Sequence, residues 1–193
     1  HPTRDRVFEL LRQTSRTFAL SIEGLPSLLC EEVAVAYLLF RVSDYLEDHE
    51  TLDSAEKVRL LELWESVIVS PDLRVEFRDE LGAVPHRGDD PEATVALEFE
   101  MLLDVLAGFP DPVRSAISER VRHTTRGMAR WQAKGPVVED EAALDDYMHH
   151  VAGLVGYLLT DLFSIHFAGI AKRRHLLMPL SREFGLALQC VNI

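Results

Sequence analysis

Tyr37, Arg41, Asp44 and Asp48 stand four, three and four residues apart in the run AVAYLLFRVSDYLEDHE, so they share one face of an α-helix. An aromatic ring opens the row, a cation follows, and two carboxylates close it. Val33 to Phe40 are almost wholly apolar, so this helix starts in a core and ends polar. Two carboxylates one turn apart repel each other and weaken an isolated helix slightly. A divalent cation turns that repulsion into binding. Hard oxygen ligands suit Mg²⁺, which takes one or two carboxylates plus phosphate oxygens from a substrate. Arg41, one turn upstream, can hold a further phosphate oxygen in its planar fork. The chemistry implied is a Mg²⁺-dependent diphosphate site with Asp44 and Asp48 as metal ligands. An Asp-x-x-x-Asp pair is also a common solvated helix face. The apolar run leading into the pair, and Arg41 on the same face, bring the metal reading level with that one.

Helices must position these groups, and the pattern is helical almost throughout. Helices are expected over roughly 4–14, 27–49, 54–69, 71–81, 92–107, 112–133, 139–167 and 172–193. A loop with Ser15, Gly24 and Pro26 separates the first two, and GAVPHRGDDP (82–91) is the most loop-like stretch. No run alternates like a strand and no repeat has a fixed period. The expected architecture is an all-α helix bundle in a single domain spanning 1–193.

Composition narrows the partners. The 193 residues are 47% hydrophobic, enough for a sizeable core, and carry a net charge of −12. The one basic cluster is Lys172, Arg173 and Arg174, which argues against nucleic acid, whose binding rests on phosphate neutralisation. An anionic small substrate is still compatible if metal ions invert the local field. Cys30 and Cys190 are far apart in helical patterns and read as small buried hydrophobes in a reducing compartment. No signal peptide is visible. The longest apolar stretch, Val151 to Leu159, runs on only as far as Asp161 before a charge breaks it. A soluble cytoplasmic protein is expected, with contact to a membrane surface still open. The chain starts at His1 and stops at LQCVNI inside an apolar helical pattern, so it reads as part of a longer polypeptide.

Three further constellations stand out. In YMHHVAGLVGY (147–157), Gly153 and Gly156 each cost a helix about 1 kcal/mol relative to Ala, so something must lie close to the backbone. That is either a neighbouring helix or an apolar ligand chain in a groove lined by Tyr147, Val151 and Val155. Gln189 and Asn192, at i and i+3 in an apolar helix, need partners. A core hydrogen bond would serve, and so would a metal or phosphate contact through the Asn oxygen. Ser15, Thr17 and Phe18 bring hydroxyls and a ring that could close over a diphosphate, or simply cap a helix. No Glu-x-x-His pair, zinc spacing, phosphate-binding Gly loop or Gly-x-Ser-x-Gly elbow occurs.

Taken in order, SRTFALSIEGLP, YLLFRVSDYLED, DDYMHHVAGLVG and FGLALQCVNI resemble four collinear motifs of the squalene/phytoene synthase family. The second aspartate-rich motif of that family would follow Ile193, so the domain reads as truncated before it. The resemblance implies an isoprenoid-synthase-like bundle around a central cavity. It also implies a head-to-head condensation of two prenyl diphosphates through a cyclopropylcarbinyl diphosphate. By the same resemblance, Asp44, Asp48 and Asn192 hold Mg²⁺, Arg41 stabilises the departing diphosphate, and Ser15 and Thr17 cover the phosphates. Phe18, Tyr37 and Tyr147 shield the allylic cation, with Tyr147 counted among the catalytic residues. Val151, Ala152, Gly153 and Gly156 line the prenyl channel, and Gln189 belongs to the substrate wall. The wording VAGLVGYLLTDLF is closer to squalene-type members, which favours C15 farnesyl diphosphate over a C20 substrate, with NADPH as reductant. Phytoene or dehydrosqualene synthesis, or a non-catalytic relative acting in binding or assembly, are the alternatives.

Overall fold

Helix starts follow local chemistry at several points in the computed structural model, which describes residues 2–135, 141–150 and 154–192, with the backbone alone for Leu186 and residues 188–192. Helix α1 spans Pro2–Thr14 and α2 spans Arg16–Glu23. The Ser15 hydroxyl caps α2 by accepting from the Phe18 N–H at 3.2 Å. The expected loop after Thr14 is therefore mostly helix, because a serine N-cap and the apolar Ala19 and Ile22 give a short helix a buried face. Pro26 then leads into α3, Ser27–Asp48. Asp53 and Glu56 form a reciprocal capping box that starts α4, Ser54–Val67. A 3₁₀ turn, Pro71–Leu73, precedes α5, Arg74–Ala83.

The expected helix over 92–107 is two helices, α6 (Pro91–Leu97) and α7 (Phe99–Gly108), with the break at Glu98. Arg6 of α1 grips the Glu98 carboxylate through Nε at 3.0 and 3.1 Å, a long-range tie that no local pattern reveals. Helix α8 runs Asp111–Lys134 and ends at Gly135, whose φ of 97° is open to glycine. The expected helix over 139–167 appears as α9 (Glu141–Met148), a π-type turn at residues 149–150, and α10 (Leu154–His166). Short α11 (Ala168–Ala171) precedes α12 (Arg174–Asn192). No strand occurs among the described residues, so the fold is an all-α bundle. No helix among them is long and apolar enough to cross a membrane.

Helix α3 is the axis. It is packed on by α1, α2, α4, α6, α7, α8 and α10, and Leu38, Leu39, Val42 and Leu46 are fully buried on it. Beside it, Trp64, Phe77 and Phe99 form an aromatic cluster with centroids 4.9 to 6.0 Å apart. A buried polar chain crosses the bundle at the same level. The Trp64 indole N–H donates to the Ser43 hydroxyl at 3.1 Å. Ser43 lies 2.7 Å from the Thr125 hydroxyl, and Thr125 donates to the Val121 carbonyl at 2.7 Å. Since Thr125 spends its proton on Val121, Ser43 is the donor between the two hydroxyls. This chain ties α3, α4 and α8 together one residue from Asp44.

Candidate active site

The polar end of α3 carries the site. Arg41 Nη1 donates to Asp44 at 2.8 Å, and Nη2 donates to Glu92 at the start of α6. The Asp44 carboxyl is pushed up to about 6, foremost by burial and then by the like charges of Asp48 and Glu92, against the pull of Arg41. Glu47, only 5% exposed, is pushed up to about 7 by burial and by Asp48 and Asp44. Lys57 and a hydrogen bond with Gln132 offset this in part. Asp48 is exposed at the rim.

Tyr147 of α9 faces this wall. Burial, and then Glu47, Asp48 and Asp44, push its phenol up to about 12, so it stays protonated at neutral pH. Its ring meets Trp131 of α8 edge-on at 5.4 Å. On the other side Tyr37 packs against Phe18 with centroids 5.5 Å apart. Burial raises the Tyr37 phenol, while nearby Arg41 and the hydroxyls of Ser15 and Thr14 draw it down. Local chemistry thus gathers Ser15, Phe18, Tyr37, Arg41, Asp44, Asp48 and Tyr147 around one end of the bundle.

Other expected residues fall elsewhere. Thr17 is exposed on α2, and its carbonyl accepts from the Ser21 hydroxyl at 3.3 Å. Gly156 is a crossing point: a Cβ there would fall 1.8 Å from the Ser181 carbonyl oxygen of α12. Its missing side chain is therefore explained by the neighbouring helix, the first of the two alternatives. Val151, Ala152 and Gly153 lie outside the described residues, as do the side chains of Gln189 and Asn192.

Sequence spacing did not single out Glu92, which comes from a distant helix. Glu47 and Trp131 were also passed over. The only local signal for Glu47 is its place beside Asp48 at the end of a run otherwise buried. Among the described residues no group of three His, Cys, Asp or Glu side chains is arranged to hold a metal ion. The wall therefore offers carboxylate ligands from one side. A cavity of ≈ 640 Å³ lies elsewhere, between α4, α7 and α8. Its Arg74, Arg122 and Arg126 already meet Asp104 and Glu65.

The squalene/phytoene synthase family matches residues 11–193. The chain belongs to this family. The squalene synthase of Dictyostelium discoideum is 29% identical over 187 residues, covering 96% of this chain and 42% of that protein. The human squalene synthase is 35% identical over 158 residues, covering 81% of this chain and 35% of that protein. The squalene synthase of Candida albicans is 30% identical over 197 residues, covering 97% and 41% respectively. The chain thus spans well under half the length of these relatives. Two solved complexes of TcSQS with ligands superpose with TM-scores of 0.77 and 0.80 at 23% identity. They cover 100% and 98% of this chain and 53% and 52% of those chains. The likeness establishes the fold as the all-α bundle of the squalene synthases.

Proposed function

We propose that this chain carries one wall of an active site for head-to-head condensation of two farnesyl diphosphates to squalene through a cyclopropylcarbinyl diphosphate. Family membership supports the reaction class. The observation that carries the reading is the crowding of Asp44, Asp48 and Glu47 at one end of α3, with a protonated tyrosine across from them. Two of these carboxyls resist ionisation as they stand, and hard oxygens are the donors Mg²⁺ prefers, so the set fits that ion. Asp44 and Asp48 would hold it, with Asn192 of α12 as a further oxygen ligand. Bound there, it would supply Lewis-acid and template chemistry at the diphosphate.

The chain's own groups do the rest. Arg41 donates to the departing diphosphate and stabilises its charge. The Ser15 hydroxyl covers the phosphates from the start of α2. Phe18, Tyr37 and Tyr147 present ring faces to the allylic cation. With its phenol at about 12, Tyr147 serves as a donor and a ring rather than as a base. The family resemblance assigns Val151, Ala152 and Gly153 to the prenyl channel, and exclusion of water there would keep the cation from being quenched. NADPH enters as the reductant that a squalene product requires, and we assign no residue to it. We place the reaction in the cytoplasm, with peripheral membrane contact where the hydrocarbon leaves.

The test supplies Mg²⁺ with C15 and C20 prenyl diphosphates separately, with and without NADPH, to protein that extends past Ile193. Products are identified by mass. Squalene from C15 that depends on NADPH is the expected result. Phytoene from C20 moves the reading to the carotenoid branch. Absence of hydrocarbon, in protein shown to bind Mg²⁺ and diphosphate, overturns it in favour of a non-catalytic relative.

A further inference from the structure

Arg41 is gripped at both ends of its fork, by Asp44 at 2.8 Å on one terminal nitrogen and by Glu92 on the other. Its Nε–H is buried with no acceptor. A guanidinium in this state has both terminal nitrogens engaged and its charge neutralised by two carboxylates. We propose that Glu92 is a displaceable occupant of Arg41, a positioning residue that diphosphate must evict before Arg41 can hold it. This rests on the reading of Arg41 as a diphosphate ligand.

The two acids are not equivalent. Asp44 sits three residues from Arg41 on α3, and the axial helix fixes its distance. Glu92 comes from the first turn of α6, directly after residues 84–90, which have no regular structure. Its side chain is 38% exposed against 25% for Asp44, and its longer stem can swing into water without moving a helix. Of the two, Glu92 is the one that can leave. Its departure frees Nη2 for a phosphate oxygen, a charge-assisted contact made while Asp44 keeps Nη1 in place. Glu92 thereby sets how tightly diphosphate is held, and Arg41 itself makes the contact.

The experiment titrates inorganic diphosphate calorimetrically into full-length protein, with Mg²⁺ and again with a chelator, and measures KM and kcat alongside. Glu92→Gln should bind diphosphate roughly threefold to tenfold tighter, the range set by removing one partly exposed ion pair. KM should fall by a similar factor, with kcat unchanged or lowered if release limits turnover. Glu92→Asp keeps the charge but is one methylene shorter, so it should behave like Glu92→Gln. Wild-type affinity in Glu92→Asp with tight binding in Glu92→Gln would assign the effect to the general field and overturn the contact. Unchanged affinity in both variants would overturn it outright. Arg41→Lys, run in parallel, separates the two layers. If it loses diphosphate affinity while Glu92→Gln changes nothing, only the role of Glu92 falls. If it binds normally, the reading of Arg41 falls with it.

Discussion

Helix α3 buries carboxylates at both ends and treats them differently. Near its start, Glu32 is 3% exposed and meets the His166 imidazole of α10 at 2.7 Å. Burial raises its carboxyl, and the His166 hydrogen bond and charge draw it back. Near its end, Asp44 and Glu47 are raised by burial and raised further by carboxylate neighbours. The first end is closed: its charge has a partner from another helix and nothing further to bind. The second end has more negative charge than local cations neutralise, and Arg41 is shared between two acids. Burial of charge alone therefore does not mark a site. Burial combined with unrelieved like charge does.

The strongest test of this contrast is catalytic. Asp44→Asn or Asp48→Asn should lower turnover roughly a hundredfold or more, with little loss of stability, measured by steady-state kinetics beside a thermal melt. Wild-type turnover would remove these residues from metal binding. A packing effect is expected at Gly156, where Gly156→Ala drives a methyl into the Ser181 backbone. It should destabilise the domain by about 3 kcal/mol in chemical denaturation. A neutral outcome would mean that α10 and α12 can separate freely.

The open end also predicts a pH signature. The Glu47 carboxyl in the folded chain lies near 7, above its ordinary 4.5. Its contribution is therefore fully present below about pH 4.5 and is lost as pH rises through 7. Wild type should lose roughly 2–3 kcal/mol relative to Glu47→Gln between pH 5 and 8. Saturating Mg²⁺ should flatten that slope, and a slope indifferent to Mg²⁺ would separate Glu47 from the cation site. At the closed end, His166→Ala strands the Glu32 carboxylate. It should cost about 2 kcal/mol at neutral pH, with less cost in acid, where Glu32 is protonated. Turnover per folded molecule should not change. A large loss of turnover would erase the distinction between the two ends.

How much of this was legible in the sequence depends on the range of the interaction. The face shared by Tyr37, Arg41, Asp44 and Asp48 is a property of one helix, and the spacing revealed it. The four motifs in order revealed the family and the bundle. Helix α2 was passed over because Gly24 and Pro26 read as a loop, although Ser15 already carried the cap signal. The break at Glu98 and the contact between Glu92 and Arg41 both join helices far apart in the chain, and no local period encodes them. Glycine in YMHHVAGLVGY signalled a close approach without saying of what. At Gly156 the backbone of α12 answers it.

The hydroxyl chain through Trp64, Ser43 and Thr125 has a mechanical consequence. Apolar helices slide past one another at little cost, because one greasy contact replaces another. A directional bond one residue from Asp44 removes that freedom, since a slip of α3 along α8 would leave a buried hydroxyl without its acceptor. The elevation of the carboxylates is thus pinned independently of how the rest of α3 is packed. Side chains deeper along the helix can become bulkier or slimmer and reshape the space beneath, while the ionising end keeps its height.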